Sequence, residues 1–207
     1  MAYLMYISNM EYIKTKISQK TSSALFLITI LYFITGFINI TLAMLALICM
    51  ALPFIFVFKD RKQTWCRGVC PRADLLSRIG KRFGAGNKAP RWLLGAKAKR
   101  GVLTYFCMNL MFIMASTYAV SQGIIDPIDK VRFMIVFEFP WSLPQLVQIA
   151  AVSDPLLHLS YRLYSIMLTS TVIGVIMSLF FKPKSWCAVC PVNTMTAGVL
   201  KNLDLRS

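Results

Sequence analysis

Long apolar runs separated by basic segments make up most of the chain. Residues 22–58 contain 37 positions without a single charge, which as one helix would be about 55 Å long against a hydrocarbon core of about 30 Å. The pattern therefore predicts two helices, with the break at Thr35–Asn39, where Gly36 and Asn39 permit a tight turn. Residues 101–120 and 161–181 predict a third and a fourth span.

Charges between these runs predict the orientation of the chain. Residues 59–100 hold 13 of the 23 lysines and arginines, whereas residues 121–160 hold four of the eight acidic residues and only two cations. Lysine and arginine concentrate in cytoplasmic loops. We therefore expect both termini and the basic segment on the cytoplasmic side of the membrane, with residues 121–160 on the other side.

Shorter apolar segments predict helices that do not cross the bilayer. Pro71–Phe83 places Leu75, Leu76, Ile79 and Phe83 on one helical face and its cations elsewhere, which is typical of a helix lying on a membrane surface. Phe133–Phe139 and Leu143–Val152 are too short to cross and are interrupted by prolines, so interfacial or re-entrant helices are expected there.

The fold class that follows is an all-α integral membrane protein with four transmembrane helices and short interfacial helices. We expect one membrane domain over residues 1–207, built from two pseudo-symmetric hairpins with repeat halves at 21–83 and 101–203. A hydrophobic content of 57% and a mean hydropathy of +0.61 agree with this class. The net charge of +15 does not indicate nucleic-acid binding, because the cations flank the apolar runs.

Two cysteine motifs lie at the ends of the second and fourth predicted spans. They read Trp65-Cys66-Arg67-Gly68-Val69-Cys70-Pro71 and Trp186-Cys187-Ala188-Val189-Cys190-Pro191. Disulfides are not expected on the cytoplasmic side, where thiols stay reduced. Four soft thiolates select an iron–sulfur cluster or zinc, and spacing alone leaves both open. The candidate ligands are Cys66, Cys70, Cys187 and Cys190, whereas Cys49 and Cys107 lie within apolar runs and are expected to be small hydrophobes.

Residues around the motifs favour a cluster. A proline directly after a cysteine can begin a helix whose N-terminus stabilises the thiolate. Trp65 and Trp186 can shield a cluster, and nearby cations can offset its charge and tune its potential. Those cations are Lys62, Arg67, Arg72, Lys182 and Lys184. For each such residue by itself, interfacial anchoring is the stronger explanation. Only the repetition of these residues at matching offsets in both halves favours a role at a cluster.

The two motifs at the ends of hairpin spans resemble those of membrane iron–sulfur proteins of the NapH/NosR type. The resemblance covers most of the chain and implies electron transfer between the quinone pool or a cytoplasmic donor and a redox partner. It implies a ligand role for Cys66, Cys70, Cys187 and Cys190. The first pair is spaced by three residues and the second by two, so the two halves are not expected to be geometrically identical. Since no further cysteine runs occur, we expect a ferredoxin-like carrier or a membrane reductase subunit to extend the electron path.

The leading hypothesis is therefore an electron-transfer component with one [4Fe–4S] cluster. Alternatives are a [2Fe–2S] centre, or a structural zinc that clasps the two hairpins of a scaffold or assembly factor. A transporter is less well supported, because the spans contain essentially no charge that would mark an ion path, with Arg162 at the edge of the fourth span. His158 is the only histidine, so bis-histidine haem ligation is not expected. We expect an ordinary interfacial role for it, with contact to a quinone head group as a weaker alternative.

Overall fold

The computed structural model describes residues 24–63, 65–134, 137–138 and 153–204; the side chains of Arg67 and Asp204 lie outside this description. Helix α1 spans Leu25–Ile38 and leads through a 3₁₀ turn, Ile40–Met44, into α2, Leu45–Asp60. A π-helical turn, Trp65–Val69, precedes α3, Pro71–Phe83. The helices that follow are α4 (Arg91–Leu94), α5 (Ala96–Ser121), α6 (Asp154–Phe180), α7 (Ser185–Val189) and α8 (Pro191–Asp204).

Three helices of the described chain are long and apolar enough to cross a membrane, namely Ile40–Asp60, α5 and α6. They are compatible with a membrane protein. Helix α1 is apolar but has 14 residues, a length of about 21 Å. The residues before Ala24 lie outside the described chain, so the arrangement of four spans in two hairpins stays a prediction.

The break in the first apolar run lies within the predicted segment. Asn39 is extended, with φ −152°, and its side-chain oxygen accepts a hydrogen bond from the Thr41 amide at 2.9 Å. An asparagine that caps the next turn in this way stops one helix and starts another. Before the break, Gly36 leaves α1 so close to the Tyr164 ring on α6 that a Cβ atom would not fit.

The segment between α5 and α6 contains strands where a helix was expected. β1, Arg132–Phe133, pairs antiparallel with β2, Phe137–Glu138. Backbone amides of this segment donate to side chains of α6. Ser165 Oγ accepts from the Arg132 amide at 3.0 Å, and Thr169 Oγ1 accepts from the Met134 amide at 3.2 Å. The interfacial helix predicted at Phe133–Phe139 is therefore wrong. The segment predicted at Leu143–Val152 lies outside the described residues.

Helix α3 has the predicted bounds, but it packs inside the protein. It lies against α1 and α6, and Leu76 is fully buried against Gly174 of α6. The Arg78 guanidinium stacks 4.5 Å from the centre of the Phe26 ring of α1. Its last residue, Phe83, is 68% exposed. The apolar face that predicted a membrane-surface helix thus serves mainly to hold α3 between two other helices.

The helices that follow the two motifs have reciprocal neighbours. Helix α3 contacts α1 of its own half and α6 of the other half, while α8 contacts α5 of its own half and α2 of the other half. Each of them therefore ties its own first helix to the second helix of the other half. This exchange agrees with the pseudo-twofold hypothesis, although the halves at 21–83 and 101–203 stay a prediction.

Candidate metal centre

The first motif is held in a π-helical turn. The Cys70 amide donates to the Trp65 carbonyl oxygen at 3.0 Å, which closes a ring over five residues as a π-turn does. Trp65 is buried and its ring lies 5.4 Å from that of Phe56 on α2. The turn is therefore anchored against α2, with Cys66 half-buried within it.

The second motif makes a shorter turn. Helix α7 spans Ser185–Val189 and begins after Lys184, whose φ is 68°. The Cys187 amide donates to the Lys184 carbonyl at 3.0 Å, and the Ser185 hydroxyl to the Lys182 carbonyl at 2.6 Å. From its tryptophan to its second cysteine, this motif has one residue fewer than the first. The wider π-turn accommodates the additional residue of the first motif. The two motifs can therefore occupy equivalent positions, each between a long helix and the helix that begins at its proline, although their spacings differ.

Both Cys-Pro pairs begin helices, as predicted. Cys70 is the N-cap of α3 with Pro71 in its first turn, and its carbonyl accepts from the Asp74 amide at 3.2 Å. Pro191 begins α8, and the Cys190 carbonyl accepts from the Thr194 amide at 3.0 Å. The positive end of a helix therefore lies beside one cysteine of each motif, where it favours negative charge.

Arg72 connects the two motifs. Its Nη2 atom lies 3.7 Å from Cys190 Sγ, and its Nη1 atom donates to Ser170 Oγ at 2.6 Å and lies 3.8 Å from Met167 Sδ. None of the described carboxylates forms an ion pair with Arg72. A largely buried cation without a carboxylate partner favours an anionic occupant.

The Arg72 contacts set the start of α3 beside the other long helix. Met167 is the central residue of α6, Asp154–Phe180, so Arg72 lies beside the middle of that helix. After α3 the chain runs beside the end of α6, with the Ala85 amide donating to the Leu179 carbonyl at 2.8 Å. In the sequence the first motif follows α2 and the second follows α6, as predicted. The side of the membrane on which they lie stays a prediction.

A cavity of about 250 Å³ opens between α1, α2 and α6 beside the cysteines. Cys66, Cys70, Cys190 and Arg72 line it. Cys187 does not line this cavity but is close enough to interact electrostatically with Cys70 and Cys190. Cys49 also lines it, which the sequence did not indicate because a cysteine in an apolar run looks like any small hydrophobe. Cys107, on α5, does not line this cavity.

Burial raises the pKa of two motif thiols, Cys66 and Cys187, so both are protonated at neutral pH in the absence of metal. Burial, followed by the neighbouring cysteines, raises the pKa of Cys66 to about 12 and that of Cys187 to about 11, while Arg72 opposes both shifts. Burial lowers the pKa of Arg72, but Cys190, Cys70 and the other nearby cysteines raise it more, so its net shift is upward. Metal must therefore displace protons from the thiols.

Alkylation of the metal-free protein should report these pKa values. The thiolate is the reacting form, so the iodoacetamide rate at Cys66 and Cys187 should rise about tenfold per pH unit from pH 7 to 9 without levelling. Mass spectrometry of the alkylated peptides measures both rates, with glutathione as the reference thiol. A plateau below pH 9 at either cysteine would contradict the raised pKa, whatever the accessibility of the thiol.

A single zinc ion and an iron–sulfur cluster require different spacings of the four sulfurs. The described residues contain no group of three or more cysteine, histidine or carboxylate side chains placed to hold one metal ion. Tetrahedral zinc at about 2.3 Å from each sulfur needs sulfurs about 3.8 Å apart. An iron–sulfur cluster is a larger body, held by thiolates at its corners. The cavity beside Arg72 offers room and positive charge for such a body.

His158 lies elsewhere and has a structural role. It is 1% exposed. Its Nδ1 atom accepts from the Ile128 amide at 3.3 Å, so Nε2 carries the proton that can be donated to Ser116 Oγ, 3.0 Å away. His158 does not line the cavity beside Arg72. The expected interfacial position is therefore replaced by a buried contact between α5 and α6.

A family model described as a 4Fe-4S binding domain matches residues 42–85 and 166–206. Each matched segment contains part of a long apolar helix, one cysteine motif and the helix after it. The fold and the match together support an iron–sulfur protein and point to an electron-transfer function. Neither the curated proteins nor the solved structures include a significant match to the chain.

Proposed function

We propose that the protein is a membrane-bound electron-transfer protein in which Cys66, Cys70, Cys187 and Cys190 hold one [4Fe–4S] cluster. The observation that carries this proposal is the position of Arg72, which follows the first motif and contacts a cysteine of the second. It supports a shared centre, because the two motifs lie 121 residues apart in the sequence.

The chain's own residues would bind and tune the cluster. Four deprotonated thiols would ligate it, and the guanidinium of Arg72 would hydrogen-bond one ligand sulfur. Ser170 orients that guanidinium through its hydroxyl. Buried Trp65 and Trp186 exclude water from the two turns. The cluster, when bound, supplies reversible one-electron chemistry, with a potential set by charge, hydrogen bonds and exposure.

The setting of this activity is also a proposal. We propose that the protein lies in a bacterial cytoplasmic membrane, and the charge distribution supports placing the ends of α3 and α6 and both termini on the cytoplasmic side. We propose that the protein relays electrons as a NapH/NosR-type component, between the quinone pool or a cytoplasmic donor and a redox partner. That partner would be a ferredoxin-like protein or a membrane reductase subunit. The protein would serve a redox system rather than act as a self-contained catalyst.

Anaerobic purification in detergent tests the proposal. We expect a brown protein with broad visible absorption that bleaches on reduction, and about four irons and four sulfides per chain. Iron, sulfide and zinc are measured on the same sample. Two irons and two sulfides per chain would show that the cluster is of the [2Fe–2S] type. A colourless protein with one zinc per chain would contradict electron transfer and establish the structural clasp.

A further inference from the structure

A second cavity, separate from the one beside Arg72, lies between α5 and α6 and has a volume of about 370 Å³. It extends along α5 from Gly101 to Ile113 and along α6 from Met177 to Arg162. Twelve residues of helix correspond to about 18 Å. The cavity is therefore long and narrow, and its walls are almost wholly apolar, which suits a single aliphatic chain.

Arg162 marks one end of this cavity. It is only 6% exposed, and its guanidinium lies over the Phe112 ring at 5.2 Å. Its Nε atom has no hydrogen-bond partner among the described residues. No described carboxylate forms an ion pair with it. A buried cation without a counter-ion is costly and marks a functional position within membrane helices.

Arg132 adds a second guanidinium at the same end. It pairs with Glu138, but its own Nε atom is buried without a partner in the described chain. Neighbouring polar groups are already engaged: Ser165 Oγ donates to the Tyr161 carbonyl, and Asn109 Nδ2 to the Tyr105 carbonyl. Positive charge is therefore the chemistry that this end of the cavity offers to a ligand.

We propose that this cavity binds an anionic lipid. The head group, a carboxylate or a phosphate, lies at Arg162 and Arg132, and one acyl chain lies along α5 and α6 towards Trp186 and Pro191. Burial of each methylene of the acyl chain favours binding, and hydrogen bonds between an anion and a guanidinium are among the strongest in proteins. The lipid would bind whether or not a cluster is present, so this proposal goes beyond the electron-transfer function.

Native mass spectrometry of the detergent-purified protein tests the proposal. The probes are palmitate, hexadecanol as its uncharged counterpart, dipalmitoyl-phosphatidylglycerol and decyl-ubiquinone. We expect one saturable site for palmitate or phosphatidylglycerol, with hexadecanol binding about tenfold to hundredfold more weakly, as expected for the loss of a charged hydrogen bond. The anion that binds more tightly shows whether the head group belongs to a free fatty acid or to a phospholipid.

Variants then locate the head group. Arg162→Gln should weaken binding of the anion about tenfold to hundredfold, Arg162→Lys should restore most of it, and Arg82→Gln, at an exposed position of α3, should change nothing. The proposal is overturned if hexadecanol or decyl-ubiquinone binds as tightly as both anions, or if a folded Arg162→Gln protein binds the anion unchanged. If that variant fails to fold, the ratio of the affinities of the unaltered protein for palmitate and hexadecanol decides whether the site requires a negative charge.

Discussion

Replacing any one of Cys66, Cys70, Cys187 or Cys190 by serine is expected to reduce bound iron to below about one-tenth of the unaltered level. Mutation of residues that only surround metal ligands already lowers metal affinity by about 10- to 100-fold, and loss of a ligand should lower it at least as much. A cluster held at four corners cannot exchange one thiolate for a hydroxyl without a large loss of affinity. Iron and sulfide per chain, together with the visible spectrum, measure the effect after anaerobic purification.

Two other cysteines provide matched controls for this experiment. Cys107→Ser changes a residue of α5 that does not line the cavity beside Arg72 and should leave iron and sulfide unaltered. Cys49→Ser is more demanding, because Cys49 lines that cavity without belonging to a motif. It should also retain the cluster. Loss of iron in the Cys49 variant, with retention in one of the motif variants, would show that the ligand set is wrong.

Arg72→Gln is expected to lower the reduction potential of the cluster by on the order of 50–100 mV, the equivalent of about 1–2 kcal/mol. A nearby cation favours the reduced, more negative form of a cluster, and Arg72 lies 3.7 Å from Cys190 Sγ. Removing the cation therefore makes reduction harder. A redox titration followed by electron paramagnetic resonance measures the potential.

The charge-conserving variant separates this electrostatic effect from a change of packing. Arg72→Lys keeps the positive charge but loses the fork that contacts both Ser170 and Cys190, so its potential should lie between those of the unaltered protein and Arg72→Gln. Arg82→Gln, at an exposed position on the same helix, is the matched control. A potential unchanged in Arg72→Gln would refute the tuning role.

Local signals predicted the elements of this fold well. The uncharged run from residue 22 to 58 required a break, and Asn39 provides it as a cap. Each Cys-Pro pair marks a helix start because proline suits the first helical turn, and α3 and α8 begin there. The 4Fe-4S family match agrees with the cluster chemistry indicated by the repeated cysteines.

Those local signals did not predict which surfaces the helices pack against. The amphipathic pattern of α3 predicts that one face is buried, but it does not distinguish lipid from protein as the covering surface. The close approach at Gly174, where Leu76 packs, settled the question in favour of α6. In the same way, no local sequence pattern marks Cys49 or Arg162 as a functional residue. Each became a candidate functional residue only because distant segments converge on it.

The reciprocal contacts of α3 and α8 have a consequence for synthesis of the protein. The second motif follows the first by 121 residues, which a ribosome adds in roughly 6–24 s. For most of that interval α3 lacks its neighbour α6, which spans Asp154–Phe180, and until Cys187 and Cys190 have been made the first pair of thiols has no counterpart. If the four proposed cysteines are the ligands, the complete cluster site forms only after Cys190 has been synthesised, and a ribosome that stalls between the motifs would release a chain with half a site.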